Sequence, residues 1–178
     1  MREKTINKKI TIKSWLTNPF FQFISISSIL LVILMLYVSQ TSVDNFFVKG
    51  TTVLLDNILH FFHFKTRLTG NIIMLLDGSQ IKFQIIQDCT GIYPFIILTS
   101  LIAGFPVRFI KKLVGTFLAL VYTFIFNYLR LVLLFVIGRH SAKWFEIAHI
   151  FIWQVSFVLL IIIFFFWWVQ WAKNINKK

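Results

Sequence analysis

The single cysteine of the chain stands in "IIQDCTGIYPF", residues 85 to 95, between an aspartate and a Thr-Gly turn, just before the sequence becomes solidly apolar. Two more groups able to carry or move charge lie inside apolar runs: Arg130 in the run 113–136 and His149 in the run 144–171. A cysteine thiol, with an ordinary pKa of about 8.5, is mostly protonated at neutral pH. A nearby guanidinium or imidazolium stabilises the thiolate, more strongly where the dielectric is low, while desolvation opposes it, so the cation must be close. The three residue types together fit acyl transfer. Cys89 is the nucleophile, and His149 is general base toward the thiol and general acid toward the leaving amine. Arg130 stabilises the thiolate or the developing oxyanion.

Each residue alone has a plainer reading. A lone membrane cysteine serves as a small apolar filler, an arginine near a helix end snorkels to headgroups, and a histidine makes a polar contact between helices. What favours chemistry is depth. Arg130 lies seven residues before Ile137, about 10 Å below the end of its helix, and His149 lies five residues after Trp144, about 7 Å into the next from the same side. With Cys89 at the start of a span, three reactive groups from three segments approach one depth on one face.

The elements that must position them follow from composition. Of 178 residues, 58% are hydrophobic and 13% charged, with a mean hydropathy of +0.81, which is too apolar for an ordinary soluble domain. The first apolar run, Pro19 to about Val38, follows a basic tail (Arg2, Lys4, Lys8, Lys9, Lys13) and is not followed by a small-residue cleavage site, so it reads as an uncleaved signal anchor. The runs 113–136 and 144–171 are long enough to cross with some tilt. Ile92 to Phe105 gives about 21 Å of helix, thin for a crossing unless extended through Val107 with Arg108 snorkelling.

Counted as a fourth span, it puts eleven of the eighteen basic residues on the cytoplasmic side and six outside, with Arg130 inside the membrane. Both termini are then cytoplasmic, and the net charge of +12 needs no nucleic acid to explain it. Between spans one and two, residues 52–64 carry Leu54, Leu55, Ile58, Leu59 and Phe62 at helical spacing, as an interfacial helix does. Asp77-Gly78 then separates two β-prone runs as a hairpin turn would.

The expected fold is therefore an all-α polytopic membrane protein. It has about four transmembrane helices, with an extracytoplasmic interfacial helix and a short β-hairpin between the first two. Residues 1–178 form one membrane-embedded catalytic domain, in which 1–18 are the cytoplasmic basic tail and 40–88 the extracytoplasmic segment.

Helical spacing names the supporting residues. Asn127, three before Arg130, is placed to hold the guanidinium or to donate to the oxyanion. Glu146, three before His149, orients its ring or faces headgroups. Gly91 frees the turn after Cys89, Pro94 falls in the first helical turn, and Asp88 reads as a helix cap. His60 and His63, spaced i, i+3, lack an evident third ligand and read as a solvated helix face rather than a metal site. Arg139 and His140 read as a wet loop. With one cysteine and no CxxC, neither a disulfide nor a zinc ribbon is available, and no cofactor or metal is expected.

"CTGIYP" at 89–94, "NYLR" at 127–130 and the histidine of "AHIFIW" at 148–153 resemble the three signature regions of the exosortase/archaeosortase family of multi-pass membrane cysteine enzymes. The resemblance runs from about Gly70 to Trp153. It implies that Cys89 is the nucleophile, Arg130 the catalytic arginine and His149 the proton-transfer residue. It further implies a membrane-anchored protein substrate with a C-terminal sorting signal. The new carboxyl end would pass to an acceptor: a lipid or glycan amine, or water. The chain is short beside relatives with about eight spans. Two other readings stand beside this one: a non-catalytic membrane subunit or small transporter whose Arg130 and His149 line a polar path, and a lipidation site at Cys89.

Overall fold

The computed structural model describes residues 18–41, 43–76 and 82–174. The basic tail before Asn18, the Asp77-Gly78 turn and the terminal Lys177-Lys178 lie outside the described residues. The order is helix α1 (Pro19–Gln40), helix α2 (Val43–Phe61), strands β1 (Thr66–Thr69), β2 (Ile72–Leu75) and β3 (Lys82–Gln84), a 3-10 turn (Gln87–Cys89), and helices α3 (Ile92–Gly104), α4 (Phe109–His140) and α5 (Ala142–Asn174).

Helix α1 starts where Asn18 Oδ1 accepts from Phe20 N–H at 3.0 Å with Pro19 in the first turn, a sequence-local start signal. Among the described residues three helical stretches are long and apolar enough to cross a bilayer: Pro19–Gln40, Phe109–His140 and Val155–Asn174. The expected fourth span forms a shorter apolar helix than foreseen. Helix α3 has 13 residues, about 20 Å, because Pro106 forces Phe105 out of the helical region, to φ −72° and ψ 135°, so no extension through Val107 occurs. It is an inner helix packed by α1, α4 and α5, with Leu98 and Ile102 fully buried. The expected wet loop at Arg139-His140 is corrected. Helix α4 runs on to His140, only Ser141 separates it from α5, and Arg139 sits 5.5 Å over the Phe64 ring.

The helix expected at the interface, α2, is longer than its apolar spacing indicated, beginning at Val43 rather than near residue 52. Leu55 and Leu59 are buried on its inner face, whereas Leu54 and Phe62 are exposed. His63 lies beyond its end at φ +63°, so His60 and His63 share no helical face. His60 instead lies 3.7 Å from Asp56, one turn back, and Asp56 accepts from the Thr66 hydroxyl at 2.6 Å, joining α2 to β1.

Both arms of the expected hairpin form, as β2 and β3, and a strand not foreseen, β1, completes a three-stranded antiparallel sheet of order β1-β2-β3. The register pairs Leu68 with Ile73 and Ile73 with Phe83. Ile73, Leu75 and Ile85 join Leu55, Leu59, Leu131 and Phe135 in one buried cluster that also holds Cys89. The sheet thus presses the segment carrying the cysteine against α4.

Candidate functional site

Cys89 ends the 3-10 turn, closed by its own N–H donating to Ile86 O at 2.9 Å. The chain then bends sharply into α3 at Gly91, whose φ is +75°, a conformation that only glycine adopts without strain. A Cβ at Gly91 would also lie 3.1 Å from Asn127 Cβ and Cγ. Pro94 sits in the first turn of α3, where its missing N–H costs nothing. The cap assigned to Asp88 is corrected. The cap position of α3 is Gly91, with no side-chain bond. The polar contact at the elbow comes from Thr90, whose hydroxyl donates to Gln87 O at 2.8 Å and accepts from Ile92 N–H at 3.4 Å. Asp88 is exposed instead.

Helix α4 delivers the next two groups from one buried stripe. Asn127 Nδ2 donates to the carbonyl of Cys89 at 2.7 Å, with both residues buried. It therefore anchors the backbone of the cysteine, where spacing along the helix suggested the Arg130 guanidinium. An amide held this way fixes the height of the 3-10 turn on α4, and a buried carbonyl left without it costs about 1–3 kcal/mol. Arg130 is 7% exposed, deep in an apolar helix, and it interacts electrostatically first with Cys89 and then with Asp88.

His149 comes from the first turns of α5. Its ring stacks on Phe145, one turn earlier, with centroids 5.7 Å apart and planes inclined by 21°. Phe145 in turn meets Phe83 of β3 edge-on at 5.5 Å. Glu146, expected either to orient the ring or to face headgroups, is exposed. Helical spacing already places an aromatic side chain, Phe145, at i−4 from His149.

Cys89 and His149 line one cavity of about 280 Å³, walled by β3 and Ile85-Ile86 on one side and by Leu131, Leu134 and Phe135 of α4 on the other. Cys89 is 6% exposed and is among the residues that line that cavity. The charges of Arg130 and Asp88 are both felt at His149. One imidazole, one thiol, one guanidinium and one carboxylate are thus grouped where α3 begins, α4 nears its end and α5 starts. No group of three or more His, Cys, Asp or Glu able to hold a metal occurs among the described residues.

A family model described as transmembrane exosortase matches residues 18–174. The chain belongs to the transmembrane exosortase family. The match takes in all three motif regions and every described helix, so α1 and α2 belong to the family's architecture as much as the motif-bearing α3 to α5. Membership implies a transpeptidase that acts on sorting signals. No curated protein and no solved structure matches the chain.

Proposed function

We propose that this exosortase is a membrane-embedded cysteine transpeptidase or protease that cleaves the C-terminal sorting signal of a membrane-anchored partner, with Cys89, His149 and Arg130 as its catalytic residues. The observation that carries the reading is the shared cavity: the only thiol of the chain and a histidine from a different helix open onto the same space, with Arg130 in electrostatic range of the sulfur.

The thiolate adds to the scissile carbonyl, and the charge that develops on oxygen is countered by the buried guanidinium. Collapse breaks the C–N bond, the amine leaves with a proton from His149, and a thioester to Cys89 remains. An amine of a lipid or glycan, or water, then attacks the thioester. His149 takes the proton from that nucleophile, and the thiolate is released. Transpeptidation and hydrolysis share every step up to the second nucleophile. The partner's span lies beside the helices in the bilayer. With α3, which runs from the cysteine end of the bundle to the lysine end, counted as the fourth crossing, the bias of basic residues puts both termini in the cytoplasm, so the cavity opens on the extracytoplasmic side.

The test is genetic and biochemical. In cells carrying Cys89→Ala, the protein stays inserted, and at least one membrane protein ending in an apolar span and a basic tail accumulates uncleaved. Mature forms of all such proteins at normal levels in that strain would end the enzymatic reading. A transporter-like role predicts the reverse pattern, with function kept without the thiol and lost without Arg130.

A further inference from the structure

Strand β3 is an edge strand. Sheet order leaves its outer side without a neighbouring strand among the described residues, and Lys82, Phe83, Gln84, Ile85 and Ile86 consecutively line the cavity that holds Cys89 and His149. The direction of its backbone groups follows from the ladder. Ile85 N–H donates to Asn71 O at 2.9 Å, so Asn71 and Ile85 form a hydrogen-bonded pair. In an antiparallel ladder such pairs alternate, which makes Ile73 and Phe83 the next one. The N–H and C=O of Phe83 and Ile85 therefore point to β2. Those of Lys82 and Gln84 point away from the sheet, as does the N–H of Ile86, whose carbonyl is already taken by Cys89 N–H.

We infer that this edge is the peptide-binding subsite of the enzyme, and that the partner's juxtamembrane segment adds to it as a fourth strand, with Gln84 exchanging backbone hydrogen bonds with it. The inference rests on Cys89 being the nucleophile. An edge strand offers donors and acceptors in a row that an extended chain satisfies without regard to its side chains. Five residues beyond Gln84, and in the same cavity, is the sulfur, so a chain zipped onto the edge is led to the nucleophile already extended. A helical segment cannot do this, because its backbone groups are used internally. The segment that enters the site is thus an unwound stretch, and its side chains alternate between the exposed face of Lys82 and Gln84 and the inner face of half-buried Phe83 and buried Ile85.

The probe is the protein that accumulates uncleaved in the Cys89→Ala strain. Gln84→Pro removes the outward N–H and leaves the bonds to β2 in place, a substitution that edge strands accept. It is expected to slow maturation of that protein at least tenfold, while alkylation of Cys89 by a small maleimide stays within twofold of the unsubstituted rate. Maturation within twofold of normal overturns the inference. Should alkylation also collapse, the decision passes to cross-linking. Gln84→Cys in the Cys89→Ala background is paired with single cysteines scanned along the partner's juxtamembrane segment and oxidised with copper phenanthroline. Disulfides at every second position are expected. A spacing of three to four residues, or no disulfide anywhere along the segment, overturns it. Normal maturation in Cys89→Ala itself would instead mean that the catalytic reading had failed before the subsite could be judged.

Discussion

The two ends of the helix bundle are held by different means. At one end, Lys111 Nζ, itself buried, donates to Ala172 O at 2.7 Å, and Lys112 Nζ donates to Ala103 O. The lysines thereby cap the last turns of α5 and α3, where free carbonyls need donors. Beside them Trp168 lies fully buried against Gly115, with Phe105 edge-on at 5.7 Å, while α1 crosses α3 at Gly104, whose missing Cβ leaves room for Ser27. At the other end an apolar cluster around Cys89 is joined by directional features: one amide to one carbonyl, a glycine at positive φ, a three-stranded sheet and a cavity left open between them. The first end is close-packed with small residues at the crossings, the usual way membrane helices associate. The second packs its own apolar cluster around Cys89 but leaves a cavity beside the thiol, so changes at the two ends should separate stability from activity.

The sharpest separation comes from His149→Ala, which removes the proton-transfer group and is expected to reduce turnover of the accumulated partner by about 10²–10⁴-fold. The melting temperature in detergent, read by intrinsic tryptophan fluorescence, should not change. Arg130→Lys follows. It keeps the charge and loses the planar guanidinium, and single-turnover measurements should show slower thioester formation with unaltered insertion.

Asn127→Ala lies between the two regimes. It leaves the buried Cys89 carbonyl unpaired at a cost of about 1–3 kcal/mol, and because that carbonyl sets the height of the sulfur, acylation should slow as well. A drop in stability with acylation at the normal rate would show that Asn127 acts on the fold alone. Gly115→Ala belongs to the opposite end. Its methyl group collides with the Trp168 indole and should cost about 1–3 kcal/mol with no change in activity per folded molecule. Adding Trp168→Leu should recover part of the loss, as expected for residues that share one contact.

The smallest effect is expected from Glu146→Gln. Exposed and replaced by Phe145 as the neighbour of the imidazole, it should change processing less than twofold.

What could be read in the sequence divides along physical lines. The three helices long and apolar enough to cross a bilayer were legible because a long uninterrupted apolar run has few alternatives in water or lipid. Gly91 and Pro94 were legible because their backbone limits act locally. The grouping of Cys89 with His149 was legible from depth along helices, one dimension of the three that define a site. The length of α3 was misjudged because apolar composition continues through Phe105 and Val107, whereas Pro106 alone decides where the helix stops. Strand β1 was not recognised because "TRLT" has one apolar residue, and its strand state depends on pairing with β2, a non-local contact. The role of Asn127 was missed for the same reason: its partner lies 38 positions away, and helical spacing reports only neighbours on the same helix.

The buried face of α4 runs from Lys111 through Gly115, Ala119 and Thr123 to Asn127 in steps of four residues. Each step of four overshoots a full turn by about 40°, so the ammonium that closes one end of the bundle and the amide that holds the cysteine at the other lie on one ridge that winds about 160° around α4. Inserting a single residue between Ala119 and Thr123 would turn everything beyond it by about 100°, swinging Asn127 away from the Cys89 carbonyl while the lysine clasp stayed shut. Four inserted residues would nearly restore the angle yet raise the amide by about 6 Å along the axis. Neither insertion returns the amide to its carbonyl, so the number of residues from Lys111 to Asn127 is as much a property of the active enzyme as their identity.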